Sequence, residues 1–210
     1  MSPTLSTEQA TASNDSFYKR AFDVAFALAV AGCVLIWLIP LLAVLIKLES
    51  KGPIFFRQLR TGKDGIPFYC FKFRSMYLNA DANHKQASRG DRRITKIGAF
   101  LRKTSLDELP QFINVLLGDM SVVGPRPHML QHTETYSRII SNYMMRHTMR
   151  PGITGLAQVA GHRGETKDVA AMVNRVNADM QYLQNWSLAL DIKIVGLTAY
   201  QMVRGNENAF

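Results

Sequence analysis

Apolar and polar positions divide the chain into three unlike parts. Residues 1–16 are polar and rich in Ser and Thr, which predicts a disordered tail. Val24 to Ile46 then runs without one charged residue. As a helix this run reaches about 35 Å at ~1.5 Å per residue, enough for a hydrocarbon core of about 30 Å. It is too long for a cleavable signal, and no small-residue cleavage pattern follows it. A membrane segment is therefore expected over residues 17–50, and a globular domain over 51–210. A buried core helix is the alternative for the apolar run. In the globular part, Ile54–Leu59 and Pro67–Phe73 are aromatic-rich runs around Asp64-Gly65, which predicts a β-hairpin. Ile94–Lys103 is amphipathic. Helices are predicted from near Ser105 to Gly118, over Met129–Arg146, and over Lys167–Leu183 with Val169, Met172, Val173, Val176, Met180 and Leu183 at helical spacing. Trp186–Val203 is apolar but holds Asp191 and Lys193, which suits a core helix or an amphipathic helix at a membrane interface. Arg150–Gly155 and Val159–Gly164 are turn-rich. The fold class is α+β, mostly helical.

Pro40 complicates a straight span, because it removes a backbone donor and crowds the preceding turn. A kink or break is expected near Ile36–Pro40. Lys19 and Arg20 precede the segment and Lys47 and Lys51 follow it. Basic flanks on both sides suit a segment that enters and leaves on one face. A kinked span and a re-entrant hairpin both satisfy the pattern.

Charge sharpens the picture. The 210 residues carry 25 Lys/Arg against 16 Asp/Glu, a net of +9. Thirteen of the cations face only three Asp between Lys51 and Thr104, so that stretch alone carries +10. A block of this kind implies an anionic partner (nucleic acid, an anionic membrane or a phosphorylated substrate) or a solvated basic face. Cys33 and Cys70 are too few for a disulfide framework, which suits a reducing compartment.

The chemistry concentrates between Ser105 and Pro127. Asp107 and Glu108 are adjacent carboxylates set among cations, and Gly124-Pro-Arg-Pro127 fixes one arginine between two prolines. One carboxylate can attack phosphorus while its neighbour holds a divalent ion. The plain alternative is a capping box, with Ser105 at the N-cap and Glu108 at N3. Arg126 can clamp phosphate oxygens in bidentate fashion or simply be solvated in a rigid turn. Lys72 and Arg74 fall on one face of the second strand, where they can meet a diphosphate or solvent. Arg102 lies just before the acidic pair, and Arg150 precedes a Pro-Gly turn. His128 and His132 have a metal-compatible spacing but no evident third ligand.

These stretches resemble the bacterial sugar transferase family, the monotopic polyprenyl-phosphate phosphoglycosyl transferases. The matching runs are Lys19-Arg20-x-x-Asp23, Gly52-Pro-Ile-Phe-Phe56, Lys72-Phe-Arg-Ser-Met76, Ser105-Leu-Asp-Glu-Leu-Pro-Gln111, Gly118-Asp-Met-Ser-Val-Val-Gly-Pro-Arg-Pro127, Arg150-Pro-Gly-Ile-Thr-Gly155 and Trp186-Ser-Leu-Ala-Leu-Asp191. The resemblance implies a re-entrant membrane helix, a small catalytic domain on the cytoplasmic face of the bacterial inner membrane, and interfacial amphipathic helices. It implies transfer of a sugar 1-phosphate from a UDP-sugar to undecaprenyl phosphate, with release of UMP. In that reading Asp107 is the nucleophile and Glu108 binds Mg²⁺. Lys72, Arg74, Arg102, Arg126 and Arg150 bind substrate. The Arg163–Thr166 region favours glucose or galactose. The implied partners are the donor, the lipid acceptor and the bilayer, with a second copy of the chain as a further candidate and no nucleic acid. Two departures stand out: Ile39-Pro40 where the family often has Ser-Pro, and Leu156 where Trp often follows Ile-Thr-Gly. The competing readings are a membrane-tethered nucleic-acid-binding protein, built on the basic block and Phe68, Tyr69, Phe71 and Phe73, and a non-catalytic membrane scaffold. The first predicts salt-sensitive binding that is indifferent to Asp107, and no RNA-binding signature supports it.

Overall fold

The computed structural model describes residues 16–79, 87–88, 90–162, 164 and 168–204. The polar tail up to residue 15 and the Arg163–Thr166 region, apart from Gly164, lie outside the described residues.

One continuous helix runs from Phe17 to Glu49. It comprises α1 (Phe17–Val30), a π-helical turn (Ala31–Leu35) and α2 (Ile36–Glu49). Pro40 sits inside α2. Its ring crowds the carbonyl four residues back, at Ile36, and the widened turn lies just ahead of that point. The distortion expected at Ile36–Pro40 is thus a π turn one step upstream, and the helix continues through it.

Both ends of this helix bond to the same globular body. Near its start, Lys19 Nζ pairs with Asp23 Oδ1 at 3.1 Å and Asp191 Oδ2 at 2.9 Å, all three side chains being buried. Arg20 donates to the carbonyls of Val115 (2.7 Å) and Leu116 (3.1 Å). At its far end, Glu49 accepts from the backbone N–H groups of Lys96 (2.6 Å) and Ile97 (2.8 Å). One face of the helix supplies core: Ala27 and Leu35 join Phe112, Met120, Tyr182 and Ile194, while Leu42 and Ile46 pack with Phe73 and Leu101. The opposite face leaves Leu28, Trp37, Leu41, Val44 and Leu48 exposed. A helix apolar on both faces suits a protein core on one side and lipid on the other.

The hairpin forms as the aromatic runs predict. Strand β1 (Phe55–Thr61) pairs antiparallel with β2 (Pro67–Phe73), with Phe55 opposite Phe73 and Thr61 opposite Pro67. Asp64 (φ 54°) and Gly65 (φ 79°) take the left-handed conformations of the turn. Helix α3 (Lys96–Lys103) packs after it, capped by Thr95, whose hydroxyl accepts from Gly98 N. Gly98 is required there, since a Cβ would lie 1.9 Å from the Ser75 carbonyl oxygen.

A second sheet appears where the sequence reading has a turn-rich link, at Arg150–Gly155, and no element, at Ser121–Val123. Strand β3 (Ser121–Val123) runs parallel to β4 (Gly152–Thr154), with Ser121 opposite Gly152. Helix α4 (Gln111–Leu117) precedes β3, and between the two strands lie α5 (Leu130–Ile139) and a 3₁₀ helix, Tyr143–Thr148. The helix expected over Met129–Arg146 therefore stops at Ile139. The Ile140-Ser141-Asn142 stretch that follows combines β-branching with turn-forming side chains. Helices α6 (Leu156–Val159), α7 (Val169–Gln184) and α8 (Leu188–Arg204) complete the chain. On α8 one face is core, with Asp191 and Ile194 fully buried, while Ile192, Tyr200 and Met202 are exposed. The architecture is mostly helical, with two small two-stranded sheets.

Candidate active site

The acidic pair sits on a break between α3 and α4. Ser105 turns left-handed (φ 58°), Leu106–Glu108 form one 3₁₀ turn, and Pro110 then opens α4. No continuous helix starts at Ser105, and its side chain makes no N-cap hydrogen bond. The capping-box alternative is not what the structure shows. Asp107 and Glu108 instead turn into the protein and are 6% and 8% exposed.

Glu108 is held by two cations from separate elements. Lys72, near the end of β2, places Nζ 2.7 Å from Oε1. Arg126 Nη1 donates to Oε2 at 3.1 Å, and its Nη2 donates to Oε1. The period of two puts Lys72 on the same strand face as buried Cys70 and Phe68, toward the core. The two prolines restrict the backbone that aims Arg126. Burial alone would lower the affinity of Arg126 for its proton, but the charge and hydrogen bonds of Glu108 raise its pKa above the usual range.

Asp107 is the less occupied partner. Among the described residues, no hydrogen bond reaches its carboxylate. Burial pushes its pKa up, Lys72 pulls it down, the charge of Glu108 raises it again, and Arg102 and Arg126 lower it; the net direction is upward. A desolvated carboxylate flanked by three cations carries a negative charge that is only partly compensated, which suits attack on phosphorus. An incoming diphosphate would find both attacking group and counter-charge in one place.

The other expected residues divide. Arg102, in the last turn of α3, acts on Asp107 through its charge. The structure does not bring Arg74 to the pair. Strand β2 ends at Phe73, so the period of two lapses, and the Arg74 guanidinium donates to the carbonyls of Ser50 (2.6 Å), Lys51 (2.8 Å) and Ile46 (3.5 Å). It caps α2, whose C-terminal carbonyls lack intrahelical partners. Nor does the structure bring Arg150 there. Its Nε donates to Gly118 O at 3.0 Å, and the residue lines a small cavity beside α1 with Lys19, Arg20, Asp23 and Ser121. His128 and His132 are ring neighbours, but His128 Nδ1 faces Tyr143 and Arg146, and no group of three potential metal ligands occurs among the described residues. Within the basic block Lys72, Arg74 and Arg93 are engaged with protein groups, while Lys51, Arg57, Arg92, Lys96 and Lys103 are exposed.

Several supporting residues escape a reading by motif. Asn114 is fully buried and stitches α4 to β2, accepting from Phe71 N (2.9 Å) and donating to Tyr69 O (2.8 Å). Asp179 pairs with Arg146, both almost fully buried. A signal for Asp179 existed, since it follows Met172 and Val176 on the apolar stripe of α7.

A model of the bacterial sugar transferase family matches residues 14–205. The chain is 50% identical over 188 residues to a UDP-glucose:undecaprenyl-phosphate glucose-1-phosphate transferase of Klebsiella pneumoniae, an alignment covering 88% of this chain and 40% of the relative. A protein of the same name from Caulobacter vibrioides is 48% identical over 193 residues, covering 91% of this chain and 72% of the relative. The exopolysaccharide production protein PSS of Rhizobium leguminosarum is 44% identical over 197 residues, covering 91% and 98%. This chain thus spans 40% of the length of the Klebsiella relative. With the acidic pair, its cations and the match along nearly the whole sequence in view, the chain belongs to the bacterial sugar transferase family.

Proposed function

We propose that the chain transfers a sugar 1-phosphate, glucose 1-phosphate foremost, from a UDP-sugar to undecaprenyl phosphate and releases UMP. The observation that carries this reading is the buried Asp107 carboxylate, without a hydrogen-bond partner among the described residues, set beside Lys72, Arg102 and Arg126. Asp107 attacks the β-phosphorus of the donor. A new carboxylate–phosphorus bond forms, the bond from that phosphorus to the bridging oxygen breaks, and UMP leaves with the bridging oxygen and its electron pair. An oxygen of the lipid phosphate then attacks the same phosphorus and frees Asp107, leaving the sugar on a lipid diphosphate. Arg126 and Lys72 offset the charge that spreads over the phosphoryl oxygens. Two half-reactions suit an enzyme whose donor comes from water and whose acceptor comes from the bilayer. The names of the relatives support glucose as the sugar and, among exopolysaccharide, capsule and O-antigen synthesis, the first as the setting.

The donors at the pair fit Mg²⁺. Two adjacent carboxylates offer hard oxygens, and this ion binds through one or two carboxylates while substrate phosphates and water complete its shell. Glu108 would hold it, with Asp107 alongside, once Lys72 or Arg126 yields one of its oxygens to the ion. When bound, the ion supplies further charge neutralisation on the diphosphate.

In this reading the apolar helix is re-entrant: it is embedded in the cytoplasmic leaflet of the inner membrane with both ends on the cytoplasmic side, rather than crossing, and the π-helical turn at Ala31–Leu35 is the place for a bend. Both of its ends bond to one globular body, which supports this geometry. The exposed apolar side chains of α8 then lie at the interface.

UMP release from a panel of UDP-sugars, with undecaprenyl phosphate and Mg²⁺ supplied or withheld, tests the reading. Turnover is expected with UDP-glucose, is lost on chelation, and falls at least about 10³-fold in Asp107→Asn. Undiminished UMP release by Asp107→Asn removes it as nucleophile.

A further inference from the structure

The Gly124–Pro127 turn poses a bonding problem. Pro125 and Pro127 have no N–H, so the turn presents mainly acceptors. Each carbonyl from 125 to 128 is met by a donor from elsewhere. Gly152 N reaches Pro125 O at 2.9 Å, and Thr61 N reaches His128 O at 3.0 Å. Arg60 Nη1 donates to Pro127 O at 3.1 Å. The carbonyl of Arg126 itself receives Arg146 Nη2 at 2.8 Å.

Arg146 is 1% exposed. Its Nε and Nη2 lie 2.9 and 2.7 Å from Asp179 Oδ2, on α7. Its Nη1 is 2.7 Å from His128 Nδ1, which also lies 2.6 Å from the Tyr143 hydroxyl. A guanidinium only donates, so His128 Nδ1 is an acceptor. One side chain therefore ties the 3₁₀ helix, α7 and the turn together. Apolar packing would join those elements at least as well as a buried ion pair does. A planar, multi-donor fork adds what packing cannot, a donor that holds a backbone carbonyl in a fixed place.

We propose that Arg146, braced by Asp179, is a positioning residue for Arg126. It fixes the backbone of the residue whose side chain grips Glu108, and so sets the guanidinium at the reaction centre. This rests on the acidic pair being that centre.

The test uses the full chain in detergent and the UMP-release assay. Arg146→Lys keeps a cation against Asp179 but loses the fork. Asp179→Asn keeps an acceptor but loses the brace. Each variant is expected to lower kcat about 10–100-fold with little change in KM, the scale of a small misplacement. In an Arg126→Ala background, Arg146→Lys is expected to add less than about threefold, because its target is gone. Losses that multiply in the double variant, or wild-type kcat in a folded Arg146→Lys, overturn the proposal. Should Arg146→Lys not fold, Asp179→Asn combined with Arg126→Ala gives the same comparison. Full activity in Arg126→Ala alone would strike the reaction-centre reading first and take this proposal with it.

Discussion

Asp107 destabilises the fold that carries it. Its pKa is raised, chiefly by burial, so the folded chain holds that proton more tightly than the unfolded chain does. The cost is absent below the ordinary aspartate range and appears as pH rises through the folded value. Asp107→Asn should therefore unfold at a higher temperature than the wild type in metal-free buffer at neutral pH. The difference should shrink on acidification toward about pH 4. A lower midpoint for the variant would show that the carboxylate stabilises the fold. Adjacent acids among cations made this position legible from sequence. The cations themselves were less legible. Lys72 and Arg126 reach Glu108, but Arg74 and Arg150 serve backbone carbonyls. Motif spacing places an arginine in the chain; it does not say which unpaired carbonyl will claim it.

At the scale of elements, Glu49 shows how the apolar helix connects to the candidate site. Its carboxylate caps α3, and α3 carries Arg102 in its last turn. Burial opposes ionisation, yet the Ile97 and Lys96 N–H groups and the Thr95 side chain hold its pKa below the usual value. Glu49→Ala should cost about 1–2 kcal/mol, as loss of a helix cap does, and should lower turnover several-fold by loosening Arg102. Urea unfolding and UMP release measure the two effects; unchanged stability would remove the cap from the account. Elements with local signals were legible: the Asp64-Gly65 hairpin, and the apolar stripes of α7 and α8. The β3–β4 pair was not. Three-residue parallel strands far apart in sequence leave no periodicity to detect. Likewise Ser105–Pro110 looked like a helix start, because Ser-x-x-Glu and dipole-compatible acids also describe a cap.

At the scale of the molecule, the helix and the globular body share one core, so the apolar helix belongs to the packing around Leu106 and Leu109, which flank the acidic pair. Tyr18 and Leu48 lie at opposite ends of the helix and are both exposed. Cysteines placed at these two positions, in a Cys33→Ser background, should both resist an impermeant maleimide in intact spheroplasts and both react after permeabilisation. Reaction of one alone from the outside would mean a crossing helix. The apolar run and its basic flanks were legible in sequence, but the choice between span and re-entry was not. That choice rests on contacts between residues such as Lys19 and Asp191, far apart in the chain.

One measurement bears most directly on the whole account. The enzyme is incubated with UDP-glucose radiolabelled in the sugar, the lipid acceptor is withheld, and the protein is digested and its labelled peptide sequenced. Label esterified to Asp107, and discharged when undecaprenyl phosphate is added, is the predicted result. Label on another residue, or active enzyme that never becomes labelled, contradicts it.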